Sequence, residues 1–132
     1  MPELPEVETI ARNLAKGDAK TPSVIGQRII ASSIFWTKTI AEPELSNFLA
    51  AINNQTILNV SRRGKFLILE LNHAFLLIHL RMSGDLIMRQ AEITPPLNAP
   101  LVAHDHVYLH FADNWHLAFN DTRKFGRIWL TP

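Results

Sequence analysis

The chain has 132 residues, 47% of them apolar and 19% charged, a formal net charge of +1 and no cysteine. That length suits one domain closed around one core, the composition argues against disorder, and no apolar run is long enough to cross a bilayer. Without cysteine there is no disulfide framework and no thiolate metal site, and the first residues lack the basic start and apolar stretch of a secretory signal, so a cytoplasmic protein is expected.

From the N-terminus, Val7, Ile10, Ala11 and Leu14 follow the spacing of one helical face. They predict a short amphipathic helix over 5–14, with Pro5 in its first turn and Gly17 placed to end it. Glu6 and Glu8 complement the positive end of the helix dipole. Leu45, Phe48, Leu49 and Ile52 repeat the spacing after Pro43 and predict a second helix over 44–53. Most of the remainder reads as strand: 24–37, 56–62, 65–71, 75–89, 106–112, 115–120 and 127–131. Reversals are expected at Arg63-Gly64, Asn72-His73, Asp113-Asn114 and the loop 121–126, with a proline-rich surface loop at 94–100. The order predicts a mainly β (α+β) fold, an antiparallel β-sandwich flanked by two amphipathic helices, with no internal repeat or linker.

Charge is unevenly spread. Arg62, Arg63 and Lys65 form one basic cluster and Arg123, Lys124 and Arg127 another, while acids gather at Glu3, Glu6, Glu8, Glu42 and Glu44. Such local basic patches suit phosphate contact despite near neutrality overall, although basic side chains also serve simply to solvate a hairpin. At the other extreme of size, Met1 precedes a small residue and is expected to be removed, which exposes Pro2 as a secondary amine. An α-amino group has a pKa of about 7.7–8.0 and is a competent nucleophile near neutral pH. Attack on the anomeric carbon of a deoxyribose gives an iminium that cannot lose a proton from nitrogen and so acts as an electron sink. Glu3, next in sequence, is a candidate acid for the sugar ring oxygen.

Five strings carry a family resemblance: PELPEVET at 2–9, SRRGKFLILEL at 61–71, HLRMSG at 79–84, HDHV at 104–107 and NDTRKFG at 120–126. In order and spacing they resemble the N-terminal catalytic domain of formamidopyrimidine-DNA glycosylases, over essentially all of residues 1–132. The resemblance implies Pro2 as the Schiff-base nucleophile, Glu3 as a proton donor and Lys65 as the proton donor for β-elimination and a lesion-phosphate contact. It further implies that Met82 fills the space left by an extruded nucleotide, that His104 contacts DNA, that Arg123 reaches the orphaned base and that Phe125 wedges into the stack. The implied partner is double-stranded DNA with oxidised bases or abasic sites, reached in the cytoplasm and at the nucleoid, with no membrane and no obligate protein partner. The family's helix-two-turn-helix and cysteine zinc finger belong to its second half, so no cofactor and no metal are expected within these residues.

Taken without the resemblance, Met82 and Phe125 also read as core residues, though Phe125 lies between Lys124 and Gly126 in a charged turn that is hard to bury. His104, His106 and His110 share a period-two face that invites metal, yet no carboxylate or cysteine completes a tetrahedral set. His79 reads as hydrogen-bonded and partly buried. Four functional readings therefore stand: a bifunctional glycosylase and abasic-site lyase for oxidised purines, the related endonuclease VIII type for oxidised pyrimidines, a non-catalytic DNA-binding β-module, and a small-molecule or metal-binding sandwich.

Overall fold

The computed structural model describes residues 3–132, so Pro2, the expected nucleophile, lies outside the described residues. Helix α1 is Leu4–Lys16, with Pro5 in its first turn and Gly17, at φ 64°, at its C-terminal end. Helix α2 is Leu45–Ile52. The strands are β1 (Ala31–Ile34), β2 (Ile40–Glu42), β3 (Ile57–Arg63), β4 (Phe66–Leu71), β5 (Phe75–His79), β6 (Gly84–Gln90), β7 (Asp105–His110), β8 (Trp115–Asp121) and β9 (Arg127–Thr131). They form two sheets, one ordered β1-β7-β8-β6 and the other β2-β9-β5-β4-β3. This is the expected sandwich with two helices, except that β2 runs parallel to β9.

Two stretches depart from the strand prediction. Of 24–37, only Ala31–Ile34 is strand, and the turn after Val24 leaves Arg28 in an isolated bridge to Thr56. The run 75–89 is interrupted after His79 because its ends belong to different sheets. Arg81 takes φ 56°, and Gly84 packs so closely on the main chain of Leu80 that a Cβ would lie 2.5 Å from the Leu80 carbonyl oxygen. Only glycine permits that approach.

Alternate residues of the strands point inward, as period two requires. Leu76, Ile78 and Ile128 of one sheet meet Leu86, Val107, Leu117 and Phe119 of the other, and Phe48 of α2 reaches the same gap. Helix α1 lies against β3, β4 and β6, spanning an edge strand of each sheet through buried Val7, Ala11 and Leu14. Full burial of such a valine or leucine contributes about 1.5–3 kcal/mol.

The outer face of the four-stranded sheet is also covered, because Leu97 N–H donates to Ser33 Oγ and Leu101 N–H to the Tyr108 hydroxyl, which draws the loop at 91–104 across it. Beneath lie Asp105, which accepts from Arg89, Asn120 and Tyr108, and His110, hydrogen-bonded to Ser33 Oγ at 2.6 Å. Burial, reinforced by neighbouring His116, pushes the His110 imidazole down to about 4.

The unfolded chain therefore binds a proton at His110 that the folded chain excludes between roughly pH 6.5 and 4, so folding stability is full above that window and falls as pH drops through it. A loss on the order of 2–3 kcal/mol is expected across the window, read as the pH dependence of urea unfolding. His110→Gln should flatten the slope whatever its effect on absolute stability; an unchanged slope would refute the assignment.

Candidate functional site

Glu3 stands at the N-cap of α1 with extended backbone, but its side chain makes no capping bond. Its carbonyl accepts from Glu6 and Val7 N–H, which leaves the carboxylate free of the helix. That carboxylate lies 4.0 Å from Lys65 Nζ, at the tip of the β3–β4 hairpin, where Gly64 supplies φ 59° for the turn. Helix and hairpin are held together one turn further on, where Arg62 Nε donates to Glu8 at 3.1 Å. The Arg62 and Arg12 guanidiniums together hold the Glu8 carboxyl below its ordinary range. Arg62 also donates to the Gly64 carbonyl, so this member of the expected phosphate-binding cluster is committed to the fold, while Arg63 is exposed.

Between α1 and the start of β6 runs an open cleft of ≈ 630 Å³, lined by Glu6, Thr9, Ile10, Met82, Ser83 and Asp85. Burial raises the Asp85 carboxyl above its usual range, partly offset by the Leu86 N–H it accepts. Met82 is exposed at 45% on the turn between β5 and β6. The turn is fixed by His79, whose Nδ1 accepts the Arg81 N–H at 3.1 Å and whose ring meets Phe66 edge-on. Burial and the charges of Arg81 and Lys65 lower the His79 pKa, which keeps that ring neutral and able to accept.

Beside this turn lies the loop 122–126, which carries Arg123 and Phe125. The two adjoin because β5 pairs with β9 while β6 pairs with β8, so both crossings between sheets occur at one end of the sandwich. Phe125 is exposed at 48%, with the Arg123 guanidinium 5.8 Å from its ring centroid. Lys124 takes φ 61° and turns away, its ammonium 4.2 Å from the centre of the Trp36 ring. His104 is exposed at φ 70°, just before β7.

Asp121, wholly buried, joins these pieces. Its Oδ1 accepts from the Ser83 hydroxyl and, at 3.2 Å, from Arg123 N–H, and its Oδ2 accepts from Gly126 N–H at 2.7 Å. Its own N–H donates to the His104 carbonyl at 3.0 Å, and its carbonyl accepts from His106 Nε2 at 2.6 Å. In the sequence Asp121 reads only as a turn residue. Its signal, an aspartate followed by glycine five residues later, resembles that of any polar loop.

The structure thus gathers Met82, Arg123, Phe125 and His104 at one end of the sandwich and brings Glu3 to Lys65. It does not gather the histidines: His104 precedes the strand, His106 is tied to Asp121 and His110 to Ser33. No group of three or more metal-ligating residues occurs among the described residues. None of the described helices is long and apolar enough to cross a membrane.

Comparison with known proteins identifies this arrangement. Residues 1–128 match the family model of the formamidopyrimidine-DNA glycosylase N-terminal domain. The formamidopyrimidine-DNA glycosylases of Pelotomaculum thermopropionicum and Cytobacillus firmus are each 41% identical over 133 residues, covering 100% of this chain and 44% of their own length. The crystal structure of the Lactococcus lactis enzyme with DNA containing Fapy-dG superposes at a TM-score of 0.81 with 35% identity, over 98% of this chain and 44% of that one. The same enzyme bound non-covalently to DNA containing an abasic site gives 0.80 and 35%, over 97% of this chain and 44% of that one. The chain therefore spans under half the length of the relatives it matches.

Packing around the loop yields a stability prediction. A Cβ on Gly126 would lie 2.4 Å from Phe119 Cζ in the core, so Gly126→Ala should cost about 1–3 kcal/mol in urea unfolding through overpacking. An unaltered midpoint would contradict the close contact.

Proposed function

Since the chain belongs to the formamidopyrimidine-DNA glycosylase N-terminal domain family, we propose that it carries the nucleophile and wedge of a base-excision repair enzyme, a bifunctional DNA glycosylase and abasic-site lyase. The observation that carries this reading is the Glu3–Lys65 pair, 4.0 Å apart, one carboxylate and one ammonium at the start of the helix whose Glu6, Thr9 and Ile10 line a cleft with Met82. A purely structural ion pair at a helix start would serve equally well as a cap, and Glu3 makes no side-chain cap bond.

In this reading the free imino nitrogen of Pro2 attacks C1′ of the damaged nucleoside. A C–N bond forms, the glycosidic bond breaks with its electron pair leaving on the base, and the proton shed by the proline nitrogen is balanced by the one the departing base takes up. Glu3 delivers a proton to the ring oxygen O4′; the C1′–O4′ bond opens and an iminium forms at C1′. That cation acidifies the 2′ carbon, and loss of a proton there expels the 3′ phosphate. Lys65, beside Glu3, holds that phosphate and serves in proton transfer during elimination.

Reaching C1′ requires the nucleotide to leave the stack, at a cost of a few kcal/mol. Met82 fills the vacated space, Phe125 wedges between bases, Arg123 faces the orphaned base and His104 takes a phosphate. Oxidised purines are the proposed substrates, in keeping with the names of the relatives. The Lactococcus lactis enzyme has also been solved with DNA containing an oxidised pyrimidine, which keeps that lesion class within the proposal. The proposed setting is the bacterial cytoplasm and nucleoid.

The chain with Met1 removed should be trapped covalently on abasic DNA by borohydride, and the form retaining Met1 should not, because its proline nitrogen is an amide. Mass spectrometry of the N-terminus paired with trapping yield checks this; equal yields would remove Pro2 from the mechanism. Glu3→Gln should slow release of an intact damaged base far more than cleavage of a ready-made abasic site. Lys65→Ala should weaken DNA binding by an amount that shrinks as salt rises, and a salt-independent defect would count against a phosphate contact.

A further inference from the structure

Four side chains given DNA-contacting roles above come from three separated segments, at 82, 104 and 123–125, and something must hold them in one pose. The common element is Asp121. Its carboxylate accepts from the hydroxyl of Ser83, the neighbour of Met82; from the main-chain N–H of Arg123; and from the N–H of Gly126, the neighbour of Phe125. Its main-chain N–H donates to the carbonyl of His104. Each of the four is thus bonded to Asp121 directly or through the adjacent residue.

The identity of the residue is itself informative. A carboxylate beside a surface meant for phosphates is electrostatically adverse, and a neutral side chain would avoid the repulsion. Asparagine would not do the same work, however. Three donors converge on the two carboxylate oxygens, and an amide would turn an NH₂ toward either the Ser83 and Arg123 donors or the Gly126 N–H. Asp121 is buried at 0% exposure, so its carboxylate makes no direct contact with a bound phosphate, and the three donors that converge on it offset its charge while it keeps its acceptors.

We propose that Asp121 is a positioning residue which locks the Met82 turn and the Arg123–Phe125 loop into a single rigid wedge, so that gap filling and intercalation occur as one event on duplex DNA. This inference rests on the functional reading above. It predicts a defect confined to substrates that must be unstacked, because the hydrogen bonds of Asp121 go to the segments at 83, 104–106 and 123–126 and none of them goes to Glu3.

The test compares borohydride trapping by the chain with Met1 removed on two probes, an abasic site in a duplex and the same abasic oligonucleotide single-stranded. Loss of one or two buried charge-assisted hydrogen bonds in Asp121→Asn should lower the duplex to single-strand trapping ratio by roughly tenfold or more. Single-strand trapping should hold at the unaltered level. Ser83→Ala removes one donor, leaves the carboxylate in place and should shift the ratio in the same direction to a smaller extent, with far-ultraviolet circular dichroism checking that both variants are folded. Equal loss on both probes in the two variants would make Asp121 merely structural and overturn the inference, as would an unchanged ratio. Absence of trapping by the unaltered chain on either probe would instead overturn the functional reading, and the inference with it.

Discussion

The two crossings between the sheets lie side by side because β5 neighbours β9 in one sheet and β6 neighbours β8 in the other. Each crossing meets a glycine that nothing larger could replace without displacement. A Cβ on Gly84 would strike the Leu80 carbonyl, and one on Gly126 would strike the Phe119 ring. These two close approaches bring Met82 and Phe125, exposed apolar side chains, to the same end of the molecule. Held side by side on a fixed frame, these two residues have the placement that the proposed wedge requires.

The Glu3–Lys65 pair is assembled at the edges of the same sandwich. Helix α1 spans β3 and β6, one edge strand from each sheet, and so brings its N-cap residue Glu3 to the tip of the β3–β4 hairpin while its side lines the cleft with Met82. The Glu8–Arg62 pair fixes this docking at the surface, where an ion pair contributes little to stability but sets the rotation of the helix against the hairpin. The Glu3–Lys65 pair and the end that carries Met82 and Phe125 therefore share one scaffold.

Much of this was legible in the sequence, and what was not has a common cause. Period 3.6 gave both helices within a few residues, and turn residues gave the hairpins at Gly64 and Asn72, because those signals are local. The parallel strand β2 is three residues long and carries no period. The break within 75–89 depends on Gly84 meeting Leu80 as the chain changes sheets, which an apolar run does not reveal. Arg62 reads as a phosphate ligand until Glu8, 54 residues away, occupies it. Asp121 reads as a turn residue for the same reason: its partner Ser83 is 38 positions distant, and no pattern along the chain records that bond.

At Arg123, Gly126 and His104 the bonds to Asp121 run through main-chain N–H and C=O groups. The side chains at 104, 123 and 125 are consequently left out of the framework that orients them. Scaffold and exposed surface are decoupled at the level of individual atoms, so substitutions at these positions can change what the surface presents while the loop that bears them keeps its shape. A fold arranged this way can vary its exposed residues at little risk to its own stability.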